Sequence, residues 1–412
     1  MIANPTSLPL LTRLAWRNLW RQRRRTTIML AAVALGVWSM VVLAALYRGL
    51  MEQQVRTEIL SLTGHIQIHA PHFLDDPTVE HSMPAPDTML RAALDNRDIV
   101  AWAPRVRVPA VVSSERESAG VVLVGIDPAA ERGLSFIPDA VVAGRYLKDS
   151  DDQGLLLGRE LAERLETGLG KRVVILSQDA DNQIADRGFR VVGIFGAEGG
   201  NDETAFVFTG LHVAQGMLKL GTKISEIGVM TQDRDAVAAP LVRLRAAATG
   251  LDVEPWTAIQ PLLVLTVRIS NIFMYIWFGI VFLAMSFGLV NTLLMAVFER
   301  TREIGLVQAL GMKPGLILFQ VIIESVMLLV VGLGAGNLLA WTTIALLHKG
   351  IDLSRFAQGM QMVGYGTHLY PYVATEDVVV ANVLVIVLGI LASLYPAYRA
   401  SRYVPVEGIT RT

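Results

Sequence analysis

The sequence contains no cysteine. That excludes disulfides, a thiolate nucleophile and any cysteine-ligated metal, so compartment has to be read from topology. Charge is also scarce: 18% of residues are charged and the formal net charge is −1, which gives no reason to expect nucleic acid. A phosphate-cradling G-x-x-x-x-G-K-[ST] loop is missing; the nearest string, Gly168-Leu-Gly-Lys-Arg172, lacks the first glycine and the hydroxyl that would hold magnesium. No G-x-S-x-G elbow marks a serine nucleophile. Serine, histidine and aspartate are present, but an enzyme reading has no support beyond their availability, and the chain is expected to carry no catalytic or nucleotide-binding motif and no cofactor.

What the sequence does have is apolar residues, 52% of the total, with a mean hydropathy of +0.45. That is too apolar for a soluble domain of this length, and a membrane protein is the first inference. Residues 1–25 mix leucines and tryptophans with Arg13, Arg17 and Arg21 as an interfacial helix does, and end on Arg23, Arg24 and Arg25. The run Thr26 to Tyr47, 22 residues, is long enough to cross a bilayer, and the first span is placed at 26–50. The positive-inside rule puts the amino terminus in the cytoplasm. A cleaved signal peptide is the competing reading, but the apolar run is longer than such a peptide's core and lacks a clear A-x-A site.

Residues 51–262 contain no segment that could span, and short β-type runs alternate with turn residues. Strands are expected at His65 to His69, Val106 to Val112, Val121 to Ile126, Leu155 to Gly158, Val173 to Ser177, Phe189 to Phe195, Ala205 to Phe208 and Ile224 to Met230. Helices are expected at Thr88 to Asn96, Arg159 to Glu166, Leu211 to Leu220 and Ala236 to Ala248. Roughly 200 residues can bury a core of their own. The block reads as one α+β region, with a split into two lobes near Asp127 to Gly144 left open. His65, His69, His72 and His81 invite a metal site, but on a strand His65 and His69 lie about 13 Å apart, too far for one ion. Solvated strand-edge histidines are the favoured reading, with no metal.

A second span follows at 263–298, about 54 Å of helix at 1.5 Å per residue, so its first turns, including Arg268, form a stalk outside the bilayer. Gly279, Ala284 and Gly288 offer small residues for close helix contact. Third and fourth spans are placed at 315–347 and 378–396, joined by a polar outer loop at 348–377 and followed by a cytoplasmic tail at 397–412. Gly332 and Gly336 have the spacing of a packing face, which also arises by chance in glycine-rich helices. Val37, Met40 and Val41 of the first span and Phe273, Ile276 and Trp277 of the second are candidates for helix packing or a cargo path. Glu324, an acid inside the third span, either couples transport or sits near the interface and pairs with a basic neighbour.

The most informative stretch is 299–314. The helix that carries Asn291 to Phe298 turns abruptly charged at Glu299, Arg300, Arg302 and Glu303, which a bilayer will not take together. Ile304, Val307 and Leu310 then recur at helical spacing and Gly311 supplies a stop before Lys313-Pro314. The pattern N-T-L-L-M-x-V-x-E-R-x-x-E-I-G-x-x-x-A-L-G of Asn291 to Gly311 resembles the coupling segment of FtsX-type ABC permeases, the superfamily of the MacB exporters and the lipoprotein-releasing LolC and LolE subunits. Gly64-His-Ile-Gln-Ile-His69, Val124-Gly-Ile-Asp-Pro128, Gly144-Arg-Tyr-Leu147, Leu157-Gly-Arg-Glu-Leu-Ala162, Val191-Val-Gly-Ile-Phe195, the ending Tyr395-Pro-Ala-Tyr-Arg-Ala400 and Pro405-Val-Glu407 are similar to that family as well, nearest to its lipoprotein-releasing branch.

The resemblance implies a membrane α-helical fold of four transmembrane helices with a large α+β extracytoplasmic domain inserted between helices 1 and 2. It implies a bacterial inner-membrane location, both termini cytoplasmic and the domain periplasmic. A separate ABC ATPase dimer would bind ATP and magnesium and receive Glu299, Arg300, Arg302, Glu303, Ile304, Gly305, Leu310 and Gly311. A second copy or a homologous permease would complete the assembly, and the cargo would be a lipoprotein or other hydrophobic molecule. LolC-type subunits carry an extended hook that recruits a periplasmic chaperone. Here the link between the strands ending at Ser177 and starting at Phe189 is a short polar hairpin, so docking of a periplasmic carrier or adaptor stays open. Two other readings stay open as well: an FtsX-like scaffold that activates an extracytoplasmic partner, and MacB-like drug or peptide export.

Overall fold

The computed structural model describes residues 8–197, 201–353, 355 and 368–401. Arg402 and Arg411 of the tail and the Pro405-Val-Glu407 motif lie outside the described residues, as do residues 354 and 356–367 of the outer loop. The chain forms two compact units: residues 1–51, 268–351 and 368–412 make the first, and 52–267 with 352–367 the second.

The first unit is helical. An N-terminal helix α1 (Leu8–Arg21) is followed after one residue by α2 (Arg23–Glu58). In the second unit come α3 (Thr88–Leu94), α4 (Ile137–Ala140), α5 (Arg159–Arg164), α6 (Asn201–Ala205), α7 (Leu211–Met217), α8 (Ala238–Ala247) and α9 (Trp256–Ile259). The chain then returns through α10 (Pro261–Glu299), α11 (Thr301–Ala309), α12 (Pro314–Leu346) and α13 (Thr375–Ser401). Helices α2, α10, α12 and α13 are the four long and apolar enough to cross a membrane among the described residues. The last continues through Pro396 to Ser401, beyond the expected span 378–396; Pro396, Ala397 and Ala400 are all buried, so packing on one face holds the turn that proline weakens.

On α2, Met29, Val33, Val37, Met40, Val41 and Ala44 fall on one face and are buried against Met274, Phe278, Phe282, Met285, Leu289 and Leu293 of α10 and Leu328, Leu329 and Leu333 of α12. Small residues set the closest approaches. A Cβ at Gly332 would lie 2.6 Å from Val33 Cγ1, and one at Gly336 would lie 2.7 Å from the Ala34 carbonyl oxygen. Gly36 likewise faces Met285, its virtual Cβ 3.0 Å from Sδ. Gly279 and Gly288 do not play this part: nothing lies within 4 Å of their Cβ positions, and Ala284 is exposed beside them. The buried stripe of α10 runs through Met274, Phe278, Phe282 and Met285, and these small residues lie off it. Polar contacts tie the helices where apolar surroundings strengthen them: Asn337 and Asn382 exchange amide hydrogen bonds at 2.7 and 3.3 Å, and Trp38 Nε1 donates to Thr343 Oγ1 at 3.0 Å.

The second unit is built on β1 (Ile66–His69), β2 (Ile99–Ser113), β3 (Ser118–Ile126), β4 (Val141–Gly144), β5 (Gly154–Gly158), β6 (Arg172–Gln178), β7 (Ile184–Phe195), β8 (Phe206–Gly210), β9 (Glu226–Thr231) and β10 (Asp252–Pro255). Strand order is β10-β1-β9-β2-β3-β8-β5-β7-β4, with β6 pairing both β2 and β7. The pairings β2-β3-β8-β5-β7-β6-β2 therefore close a ring of six strands. Its core holds Val106, Val108, Leu123, Leu155, Val173, Phe189 and Val207, with α5 and α7 contributing Leu161 and Leu211. The remaining strands β10, β1 and β9 form a wing covered by α3 and α8, through Leu90, Leu94 and Leu244.

The region does not divide near Asp127 to Gly144. Wing and ring share β2, whose residues 99–105 pair with β9 and whose residues 111–113 pair with β6. At 15 residues it is long enough to serve both. The strands β4 and β10 and the short helices α4, α6 and α9 escaped the sequence reading, being too short to show a period. Two of the four histidines are not solvated strand-edge residues: β1 is flanked by β9 and β10, so His69 is buried in the sheet, and His65 Nδ1 lies 2.8 Å from Thr231 Oγ1, whereas His72 is exposed. Among the described residues no group of three or more potential ligands could hold a metal.

Candidate functional site: the charged bend after the second long helix

Helix α10 ends at Glu299 because Arg300 takes a non-helical conformation (φ −100°, ψ 12°), and α11 starts one residue later. The break is a bend more than a gap: the Arg300 carbonyl already accepts from Ile304 N at 2.9 Å, and Thr301 Oγ1 donates back to the Phe298 carbonyl at 2.6 Å. At the other end Gly311 takes φ +97°, a conformation that favours glycine, and its amide closes on the Gln308 carbonyl at 2.9 Å. Pro314 then opens α12 at its first turn, where the missing amide is no loss.

The four charges at the bend divide their partners. Glu299 accepts from Arg25 Nη1 at 3.1 Å and from Gln22 Nε2 at 2.8 Å. Arg300 reaches across to Glu324, 3.2 and 3.3 Å from its two oxygens, and both side chains are mostly shielded from solvent. Glu303 receives two hydrogen bonds from Arg21 of α1, with both side chains about half exposed, at 54% and 52%. Arg302 is exposed. Hydrogen bonding from Arg21 holds the Glu303 carboxyl below its ordinary value, opposed by some loss of solvation. The start of α2, the end of α10 and the start of α12 thus meet at one end of the first unit. Arg48 and Asp377 mark the other end, joined at 2.7 and 2.9 Å.

These contacts surround a cavity of about 360 Å³ lined by apolar Leu293, Val297, Ile317 and Val321 and by Arg17, Arg21, Arg300, Glu303 and Glu324. Ile304 packs beside Val297, Ile317 and Ala400 in a small core. Gly305 is buried as well. Leu310 does not share that environment: it is 80% exposed, and Leu306, one turn earlier, is 56% exposed. Helix α11 therefore anchors itself with Ile304 and Gly305 and presents Arg302, Leu306 and Leu310, at i, i+4 and i+8, along one exposed stripe. The Ile304 to Leu310 spacing in the sequence did not single out Leu306, whose exposure only the structure shows; the side chain of Val307 lies outside the described set.

The remaining candidates separate. Val37, Met40 and Val41 are buried in the helical core, whereas Phe273, Ile276 and Trp277 are exposed on the far side of α10. They do not form one surface within this chain. Gly332 and Gly336 belong with the first group, at the contact of α12 with α2.

Comparison with known proteins identifies the family. Residues 26–247 match the family of MacB-like periplasmic core domains, more than half of the chain, and residues 275–405 match the FtsX-like permease C-terminal family. Among curated relatives, the lipoprotein-releasing system transmembrane protein LolC of Neisseria meningitidis serogroup B is 23% identical over 93% of this chain and 93% of its own. The corresponding LolE of Haemophilus influenzae is 24% identical over 96% of this chain and 97% of its own. The pyoverdine export ATP-binding/permease protein PvdT of Pseudomonas syringae pv. tomato is 25% identical over 96% of this chain but only 58% of its own. The chain belongs to the MacB-like periplasmic core domain family and carries an FtsX-like permease C-terminal region, which together make it an ABC transporter permease of the FtsX/MacB type.

Proposed function

We propose that this chain is the permease subunit of an ATP-driven machine that releases lipoproteins, or a similarly lipidated cargo, from the outer face of a bacterial inner membrane. The observation that carries the reading is similarity along nearly the whole length of both LolC and LolE relatives. In this reading the four long helices are transmembrane, and the arginine-rich end that holds Arg21, Arg23, Arg24, Arg25 and Arg300 faces the cytoplasm. Both termini then lie inside, and the domain between α2 and α10 is periplasmic. A separate ATPase dimer docks on the stripe Arg302, Leu306 and Leu310 and supplies the nucleotide chemistry. The face of α10 that exposes Phe273, Ile276 and Trp277 meets lipid, a second permease or the cargo's acyl chains.

Motion is passed on because α11 follows α10 after a single residue, and α10 continues to Pro261 in the second unit. The test is ATP turnover by the partner ATPase in nanodiscs containing the full chain. Combining Glu303→Ala with Gly311→Val, which forces a β-branched residue to positive φ, is expected to abolish permease-stimulated turnover without reducing expression. Unchanged stimulation would overturn the docking assignment. A second reading, export of a small secreted molecule, draws on the PvdT relative; a deletion strain that retains lipoprotein sorting but fails to export such a compound would favour it.

A further inference from the structure

In the second unit a fully buried arginine grips the end of α2, and we propose that Arg105 is the positioning residue that fixes the first membrane helix to the periplasmic sheet. It would convert helix movement into domain movement. The inference rests on the reading of the chain as an ATP-driven mechanical permease.

Helix α2 does not end in an ordinary cap. Its last turn widens into a π-type segment, Ile59–Thr63, in which Leu62 adopts φ +71° before Gly64 at +67°. The ladder of helical hydrogen bonds stops there, and the Leu62 carbonyl accepts instead from Arg105 Nη1 at 2.5 Å and from Gln67 Nε2 at 3.2 Å. Every nitrogen of the guanidinium is engaged. Nε and Nη2 donate to the two oxygens of Glu131 at 2.6 and 3.0 Å, and Nη1 lies 3.4 Å from Glu226 Oε1. Arg105, Glu131 and Glu226 are wholly inaccessible to solvent, and Arg107, 3.1 Å from Glu226 Oε2, completes a neutral set of four charges.

The position of Arg105 in the sheet gives this cluster its leverage. On β2 it is paired with Glu226 of β9 on one side and Ile126 of β3 on the other, where wing and ring share a strand. Glu131 is delivered by the turn after β3, in which Asp127 Oδ1 accepts from Ala129 N at 2.9 Å and the Asp127 carbonyl from Glu131 N at 3.0 Å. Room for the guanidinium is left by Gly228, where a Cβ would stand 3.1 Å from Nη1. Apolar side chains would fill the same volume as well or better. They would not hold a main-chain carbonyl at a fixed point, because apolar contacts slide at little cost whereas a buried charged hydrogen bond must break.

The absence of native cysteine allows a direct test in the full chain with its ATPase in nanodiscs. Spin labels at Arg56→Cys, exposed on the last turns of α2, and Val111→Cys, exposed on β2, report the distance between helix end and sheet. The expected result is one narrow distance distribution, equally narrow with and without ATP and vanadate. Arg105→Met should widen it at least twofold and lower release of a purified triacylated lipoprotein at least tenfold, while ATP turnover stays within twofold; Arg105→Lys should restore part of both. Wild-type width and release in Arg105→Met would overturn the proposal. If that variant cannot be purified, Gly228→Ala keeps all four charges while crowding the guanidinium, and should widen the distribution and lower release severalfold; wild-type behaviour there overturns it equally. Should the unsubstituted complex neither hydrolyse ATP nor release lipoprotein, the functional reading fails, and the label widths of the Lys and Ala variants still decide the clamp.

Discussion

Two ionic clusters in this chain look alike on paper and differ in kind. At the bend after α10, Arg21 and Glu303 are half exposed and Arg25 with Glu299 partly so, whereas Arg105, Glu131 and Glu226 in the second unit are entirely buried. Exposed pairs contribute little to stability and exchange partners readily, because water competes for both members. Buried sets are held in one geometry by the cost of leaving any member unpaired. The first arrangement suits a surface that has to accept and release a partner. The second suits a joint that must not yield.

Breaking one member of each cluster sharpens the contrast. Glu131→Ala leaves Arg105 buried without its bidentate partner and should destabilise the second unit by about 3–5 kcal/mol, read as a large fall in the thermal midpoint of the full chain in detergent. Gly336→Leu drives a side chain into Ala34 and Val37, and should cost roughly 1–3 kcal/mol in the first unit. An intermediate effect is expected at Asp152. Burial raises its pKa, but hydrogen bonds from Arg145 and from the amides of Lys148 and Gly154 outweigh burial and bring it to about 2. A depressed carboxylate contributes stability that is fully present above its unfolded value of 3.8 and is lost as pH falls toward 2. Asp152→Asn should therefore lower stability near neutrality by roughly 1–2 kcal/mol and flatten the midpoint's pH dependence between those values. The smallest effect is expected for Arg21→Gln, which should leave the thermal midpoint unchanged while altering ATPase coupling. A fall as large as that of Glu131→Ala would erase the distinction between the clusters.

The sequence made some of this legible. Long apolar helices announce themselves by length, and the strands with alternating or continuous apolar runs were placed within a few residues; β2 starts earlier than expected, at Ile99, in a stretch that Pro104 disguises. The bend could be read because four charges interrupt an apolar run. Long-range pairing could not. Nothing in local sequence tells that Arg300 meets Glu324 or that Arg105 meets Leu62, 43 positions away. Nor does the spacing of Ile304 and Leu310 reveal that one anchors the helix while the other faces outward, since that depends on Val297, Ile317 and Ala400 arriving from other helices. Buried His69 was hidden for the same reason: its cover comes from β9 and β10, more than 150 residues downstream.

The central claim is that the exposed stripe of α11 receives a nucleotide-hydrolysing partner from the cytoplasmic side. Leu310→Cys, the sole thiol in the protein, tests it most directly, by labelling with a membrane-impermeant maleimide in intact cells and in inverted membranes. Labelling confined to inverted membranes, and blocked when the partner ATPase is bound, is the predicted result. Labelling from outside intact cells, or labelling that no ATPase protects, would contradict it.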